Sequence, residues 1–292
     1  MPDAASPERA PPGPAPARVQ GPMTISVDAM GGDQGPGVVV AGVARAARKE
    51  PSIRFILHGP EAELAPLVAR RRGLADRVEI RDAPGIVTME ARPSHVMRHG
   101  EGTSMWSALE SVRAGEAPVV VSCGNTGALM LLSIVRLRKL PGGNRPAIAC
   151  LWPSRAPGGF AVMLDAGADI RADPEDLLQY ALMGVSYARN GLEIARPRVG
   201  LLNNGTEEHK GRAELKEAHD LIAQAADASE FDFHGFVEGG DIPSGDVDVI
   251  VTDGFTGNIA LKTAEGTAAL IREFLGDAFR HSLLSRFAAI LA

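Results

Sequence analysis

The chain has 292 residues, 45% of them hydrophobic and 23% charged, the range of a globular protein large enough to bury a core without disulfide staples. Thirty basic against 36 acidic residues give a formal net charge of −6, and aromatics make up 4%, which argues against nucleic acid as a partner. Two cysteines, Cys123 and Cys150, cannot build a disulfide framework and point to a reducing compartment.

Residues 1–22 hold seven prolines and five alanines without an apolar stretch. They read as a disordered tail rather than a signal peptide. No run of about 18 apolar residues occurs, so no membrane span is expected and the expected location is cytoplasmic. From Thr24 short β-branched runs alternate with helical periods. Strands are expected at 24–28, 53–58 and 78–80, with helices at 38–50 and 61–72 around them. A helix at 105–114, a strand at 118–122 and a helix at 127–140 follow. Two apolar runs, 147–152 and 160–165, are joined by a hairpin-like loop, PSRAPGG. Asp173 as N-cap and Pro174 at the first position open the next helix. Strand 198–203, helix 212–227, strands 231–237 and 247–252, and helix 258–275 complete the order. Such alternation implies βαβ units and a mainly parallel sheet with flanking helices, expected as one α/β catalytic unit over 23–292. The runs VVVS, VGLL and VDVIV are nearly all apolar, as expected of strands buried on both faces.

Glycine is enriched, at 33 residues, and it clusters just after strands. Strand one runs into Asp28, Gly31 and Gly32. The 118–122 strand runs into Gly124, Asn125, Thr126 and Gly127. The 198–203 strand runs into Asn203, Asn204, Gly205, Thr206 and Lys210, and the 247–252 strand into Asp253, Thr256 and Asn258. In open α/β sheets the carboxyl ends of strands line the ligand crevice, and exposed amides there suit an anion. Four such loops with a single lysine describe a site for a phosphate or an acyl carbonyl. Each loop taken alone also reads as a plain strand-to-helix turn. GxGxxG, Walker A, GxSxG, HExxH and CxxC motifs are all absent. The inventory therefore offers no protein nucleophile and no metal or cofactor site, and it suits a reaction whose nucleophile is itself a substrate.

The segments VDAMGGDQGP, SCGNTGALM, RPAIA, LDAGAD, LLQYALMG, GLLNNGTEEHKG, GFVEGGDI and VTDGFTGNIALKTAEG, in this order, resemble the bacterial phosphate acyltransferase (PlsX) family. The resemblance implies a fold similar to the phosphotransacetylase and isocitrate/isopropylmalate dehydrogenase-like group. It also implies formation of acyl phosphate from fatty acyl–acyl carrier protein and inorganic phosphate, for phospholipid synthesis. Implied partners are the carrier protein, phosphate, a second copy in a homodimer, the membrane glycerol-3-phosphate acyltransferase and the inner face of the membrane. Cys123 stands where the family usually has Ala, Asp169 where Asn is usual, and residues 98–102 depart from a stretch richer in Lys and Ser.

Attack of phosphate on a thioester needs preorganised donors and a cation more than a base. Lys210 is the first candidate for holding phosphate or oxyanion, and the family points to it too. Asn258 is the second, with its amide donating to the carbonyl at a helix start, or else a structural N-cap. Asn125 and Thr126 are candidate donors. Asp28 and Asp253 are candidates to orient Lys210 or cap their loops, and Asn203 and Asn204 are placed similarly. Gly31, Gly32, Thr206 and Thr256 complete the candidate binding set. His209 reads as an exposed residue and Cys150 as core. The basic runs at 70–72 and 136–139 suit an acidic carrier protein or a solvated face. A coenzyme A-dependent phosphotransacetylase and an inactive carrier-protein scaffold are the competing readings. Family members usually continue further, with a Gly-Gly-Ala and Leu-Leu-Gly segment, whereas this chain stops at Ala292. Its part 258–292 is amphipathic at helical spacing. The expectation is uncovered apolar surface, weak or no activity, and association with membranes or with itself.

Overall fold

A computed structural model describes residues 23–139, 143–207 and 210–280. The proline-rich 1–22, His209 and the last twelve positions lie outside the described residues. Where one α/β unit over 23–292 is expected, the chain divides into two compact units, Met1–Arg138 and Lys139–Ala292, each with its own sheet.

The first unit carries β1 (Thr24–Asp28), α1 (Pro36–Lys49), β2 (Arg54–Gly59), α2 (Glu61–Ala69), β3 (Val78–Asp82), α3 (Pro93–His99), α4 (Ser104–Arg113), β4 (Val119–Ser122) and α5 (Thr126–Leu137). Its sheet is parallel throughout, in the order β3-β2-β1-β4. Helix α3 has no counterpart in the sequence reading. Its seven residues are too few to show a helical period, and Pro93 at the start is its one local signal. Strand β4 corrects the expectation for VVVS: it is an edge strand, and Val119 and Val121 are 40% and 45% exposed. An all-valine run reports an apolar environment on both faces, but not whether a neighbour fills it.

The second unit carries β5 (Cys150–Pro153), β6 (Phe160–Leu164), α6 (Pro174–Leu192), β7 (Arg198–Leu202), α7 (Ala213–Ala225), β8 (Asp232–Val237), β9 (Val249–Val251) and α8 (Gly254–Arg280). The sheet order is β5-β6-β9-β7-β8. The β5–β6 pair is the antiparallel hairpin that PSRAPGG suggested, and the remaining pairs are parallel. Strands β7 and β9 are almost wholly buried, as their apolar runs require. Asp173 and Asp176 form a reciprocal capping box at the start of α6, with Pro174 inside it. Cys150 is partly buried rather than fully core, and burial pushes its thiol above the usual range.

Candidate functional site

The parallel pairings decide which strand-end loops meet. In the first unit β1 lies beside β4, with Asp28 level with Ser122, so the loops after them adjoin. The buried Asp28 carboxylate accepts from the Met30 amide at 3.2 Å and from the Ser122 hydroxyl at 2.7 Å, closing the two loops onto each other. Gly31 is needed there for space: a Cβ would stand 2.6 Å from the Gly124 amide nitrogen. Gly32 lies against Cys123. Asn125 caps α5 by accepting from the Ala128 amide at 3.0 Å, and its NH₂ donates to the Met89 and Ala91 carbonyls, both at 2.9 Å. That engagement fits the strand-to-helix turn reading of this loop: the Asn125 side chain ties the 88–91 loop to the helix. Thr126, next to it, is exposed. Beside these loops a groove of about 580 Å³ opens, with Ile25, Val27, Val43, Phe55 and Val121 on its walls and Gly31, Gly32 and Cys123 at its rim.

In the second unit β7 lies beside β9, with Leu201 level with Val251, so Asn203 and Asp253 emerge side by side. They line a cleft of about 510 Å³ together with Asn204, Arg212 and Thr256, while Leu215, Ile242 and Ile259 supply apolar walls. Asp253 is buried and N-caps α8, accepting from the Thr256 amide at 2.8 Å. Its second oxygen is paired with the Arg212 guanidinium. Burial alone would raise this carboxyl, but the Thr256 amide, Arg212 and the Thr256 hydroxyl hold it below the usual carboxylate range. Asp253 therefore caps its loop, one of the two expectations for it, and orients Arg212 rather than Lys210. The Lys210 ammonium instead pairs with Glu207 at 2.8 Å, and that contact raises its pKa. Lys210 itself is partly exposed, with its stem over Gly205. Asn204 and Thr206 are exposed.

Asn258 is exposed and sits in the second turn of α8, because the helix begins at Gly254. The capping alternative for Asn258 is thereby corrected: Asp253 does the capping. Its amide nitrogen lies against Gly167, where a Cβ would come within 2.7 Å. Gly167 belongs to the LDAGAD loop, to which the residue pattern alone assigns no role. There the buried Asp165 carboxylate collects the amides of Ile148, Gly167, Ala168 and Asp169 at 2.8–3.1 Å. Asp169 in turn accepts from the Gly254 amide at 2.9 Å and from the Tyr180 hydroxyl at 2.5 Å. This loop fixes where α8 begins, and LDAGAD was its visible signal. Arg212 is the other residue missed, since nothing local distinguishes it from a solvated cation.

The four glycine-rich loops thus form two pairs, one per sheet. The second pair joins a cation on a buried carboxylate to amide side chains and an apolar wall, which suits an anion carried next to an apolar group. Among the described residues no group of three or more His, Cys, Asp or Glu is placed to hold a metal ion. No described helix is long and apolar enough to cross a membrane.

Among solved structures the chain matches the EutD phosphotransacetylase of Staphylococcus aureus with a TM-score of 0.60 at 19% identity, over 85% of this chain and 82% of that one. A phosphotransacetylase of Streptococcus pyogenes also matches at 0.60 with 18% identity, over 85% and 82%. The fold is accordingly that of the phosphotransacetylases, a mainly parallel α/β architecture with flanking helices. The family model described as "Fatty acid synthesis protein" matches residues 23–292, and the chain belongs to that family. Its Paracoccus denitrificans (strain Pd 1222) relative, named Phosphate acyltransferase, is 71% identical over 270 residues, 92% of this chain and 73% of that protein. A relative of the same name from Cereibacter sphaeroides (strain ATCC 17025 / ATH 2.4.3) is 68% identical over 272 residues, 93% of this chain and 74% of that protein. The chain is an enzyme of this acyltransferase class.

Proposed function

We propose that the chain makes acyl phosphate from inorganic phosphate and a fatty acyl thioester on acyl carrier protein, in the cytoplasm, as a supply for phospholipid synthesis. The observation that carries this reading is the Asp253–Arg212 pair at the polar end of a cleft with apolar walls. Arg212 holds phosphate, its fork kept in place by a carboxylate that stays charged. One phosphate oxygen attacks the thioester carbonyl carbon, the C–S bond breaks, and the departing thiolate takes up the proton that phosphate carried. Lys210 and the Asn258 amide stabilise the oxyanion formed on the way, a role of preorganised donors rather than of a base. Asn204, Thr206 and Thr256 border the same loops. The homodimer, the membrane glycerol-3-phosphate acyltransferase and peripheral membrane contact belong to this reading as partners.

The experiment is acyl phosphate formation from phosphate with long-chain acyl–carrier protein, set against short- and long-chain acyl–coenzyme A. Turnover that needs the carrier protein and a long chain is the expected result. Preference for a short acyl–coenzyme A would favour the phosphotransacetylase reading, which the shared fold suggests. Carrier-protein binding without product from any donor would favour the scaffold.

A further inference from the structure

Among the described residues one buried side-chain polar atom lacks a hydrogen-bond partner, and it is Asn203 Oδ1. Asn203 is 8% exposed and lines the Arg212 cleft. Its amide nitrogen makes one long bond, 3.4 Å to the Lys210 carbonyl. The oxygen lies against Gly211, whose φ of +87° and lack of a Cβ leave it room; a Cβ there would come within 2.4 Å. An amide oxygen accepts and cannot donate, so what this atom lacks is a donor. Leaving such an acceptor buried and unpaired is unfavourable, and native proteins rarely do it without a use. Terminal amide torsions are broad and a single long bond holds this amide, so its oxygen can turn toward a ligand in the cleft that Asn203 lines.

We propose that Asn203 selects phosphate over sulfate by accepting the proton that hydrogen phosphate carries. The inference rests on the reading of this cleft as the phosphate site. Arg212 and Asn203 then make complementary demands. The guanidinium takes unprotonated oxygens, and the amide oxygen requires a protonated one. Near neutral pH hydrogen phosphate satisfies both, while sulfate carries no proton and places an oxygen lone pair against Asn203 Oδ1. A site that accepts from a ligand hydroxyl rejects the analogue that lacks it, because its own acceptor stays unpaired.

The test measures binding of inorganic phosphate and of sulfate to the chain and to two variants, by calorimetry at neutral pH. The wild-type chain is expected to prefer phosphate by about 10–100-fold, the size of one buried acceptor met or left unmet. Asn203→Leu, which keeps the branching at Cγ but has no acceptor, brings the two affinities to within about threefold. Asn203→Asp keeps an acceptor, so it retains the preference while binding both anions more weakly. A merely structural role for Asn203 would weaken both anions alike and leave their ratio unchanged. Equal affinities in the wild type, or a ratio that survives in Asn203→Leu, overturn the inference while leaving phosphate binding in place. Failure of phosphate itself to bind the wild-type chain would overturn the phosphate site as well.

Discussion

Lys210 and Arg212 stand two residues apart, yet they are held differently, and substitutions should separate them. Lys210 pairs with an exposed glutamate, so Lys210→Ala is expected to leave the melting temperature unchanged. Acyl phosphate formation should fall by about 10²–10³, as for other lost oxyanion donors. A rate within threefold of wild type would remove Lys210 from the mechanism. Arg212→Ala should raise the phosphate KM and also lower stability, because it leaves the buried Asp253 without its cation. A second residue-scale prediction concerns His58, which is fully buried. Ser26 donates its proton to the Ala108 carbonyl, so it must accept from His58 Nε2–H, leaving Nδ1 to accept from Ser107. Burial, with the nearby Arg81 charge adding to it, lowers this pKa from 6.5 to about 4. The native ring is neutral, so its contribution is present above pH 6.5 and is lost as pH falls toward 4. At ~1.4 kcal/mol per pH unit the loss is about 3 kcal/mol. Urea unfolding between pH 7 and 4 should show it, and His58→Gln should flatten that part of the curve. In the sequence Lys210 stands out as a candidate, because it is the one lysine in a glycine-rich strand-end loop. Arg212 and His58 do not, because their partners come from 41 and 49 residues away.

Element boundaries follow the same division between local and distant causes. The start of α6 was legible because Asp173, Pro174 and Asp176 form a local capping signal. Helix α8 starts at Gly254, four residues before the 258 that the sequence pattern suggests. Gly254 and Phe255 look like loop residues, and it takes Asp253 as cap and Asp169 on the Gly254 amide to begin the helix there. Asn125 shows how one residue can serve two elements. Its oxygen caps α5 while its nitrogen holds the loop that leads to α3. Asn125→Ala is therefore expected to cost more than an ordinary N-cap, about 2 kcal/mol in urea unfolding, with loss of protection of the 88–91 amides in hydrogen exchange. Asn125→Asp keeps the cap but loses the donors, so it should recover about half of that cost. Full recovery would show that the loop contacts contribute nothing.

At the scale of the whole molecule the alternation of strands and helices was legible, and with it the α/β class. The two-sheet division was not. Periodicity identifies an element but not its neighbours, and β9 reaches its place between β6 and β7 only through long-range pairing. The amphipathic character of the last described helix was also visible in the sequence. The structure leaves it largely unpacked: Ile271, Phe274 and Leu275 are 51%, 63% and 51% exposed. An anionic membrane surface and a second copy of the chain are two candidate occupants of this face, and the charges on α8 distinguish them. Its three basic residues, Lys262, Arg272 and Arg280, are matched by three acidic ones, Glu265, Glu273 and Asp277. With no net positive charge the helix gains little from anionic lipid, whereas burying its apolar stripe against another copy needs no charge at all. The expected behaviour is concentration-dependent self-association that persists at high salt, read by sedimentation. Ile271→Glu with Phe274→Glu should shift the population to monomer while the secondary structure stays unchanged. Binding of the wild-type chain to phosphatidylserine vesicles in preference to neutral ones, without self-association in their absence, would assign the face to the membrane instead.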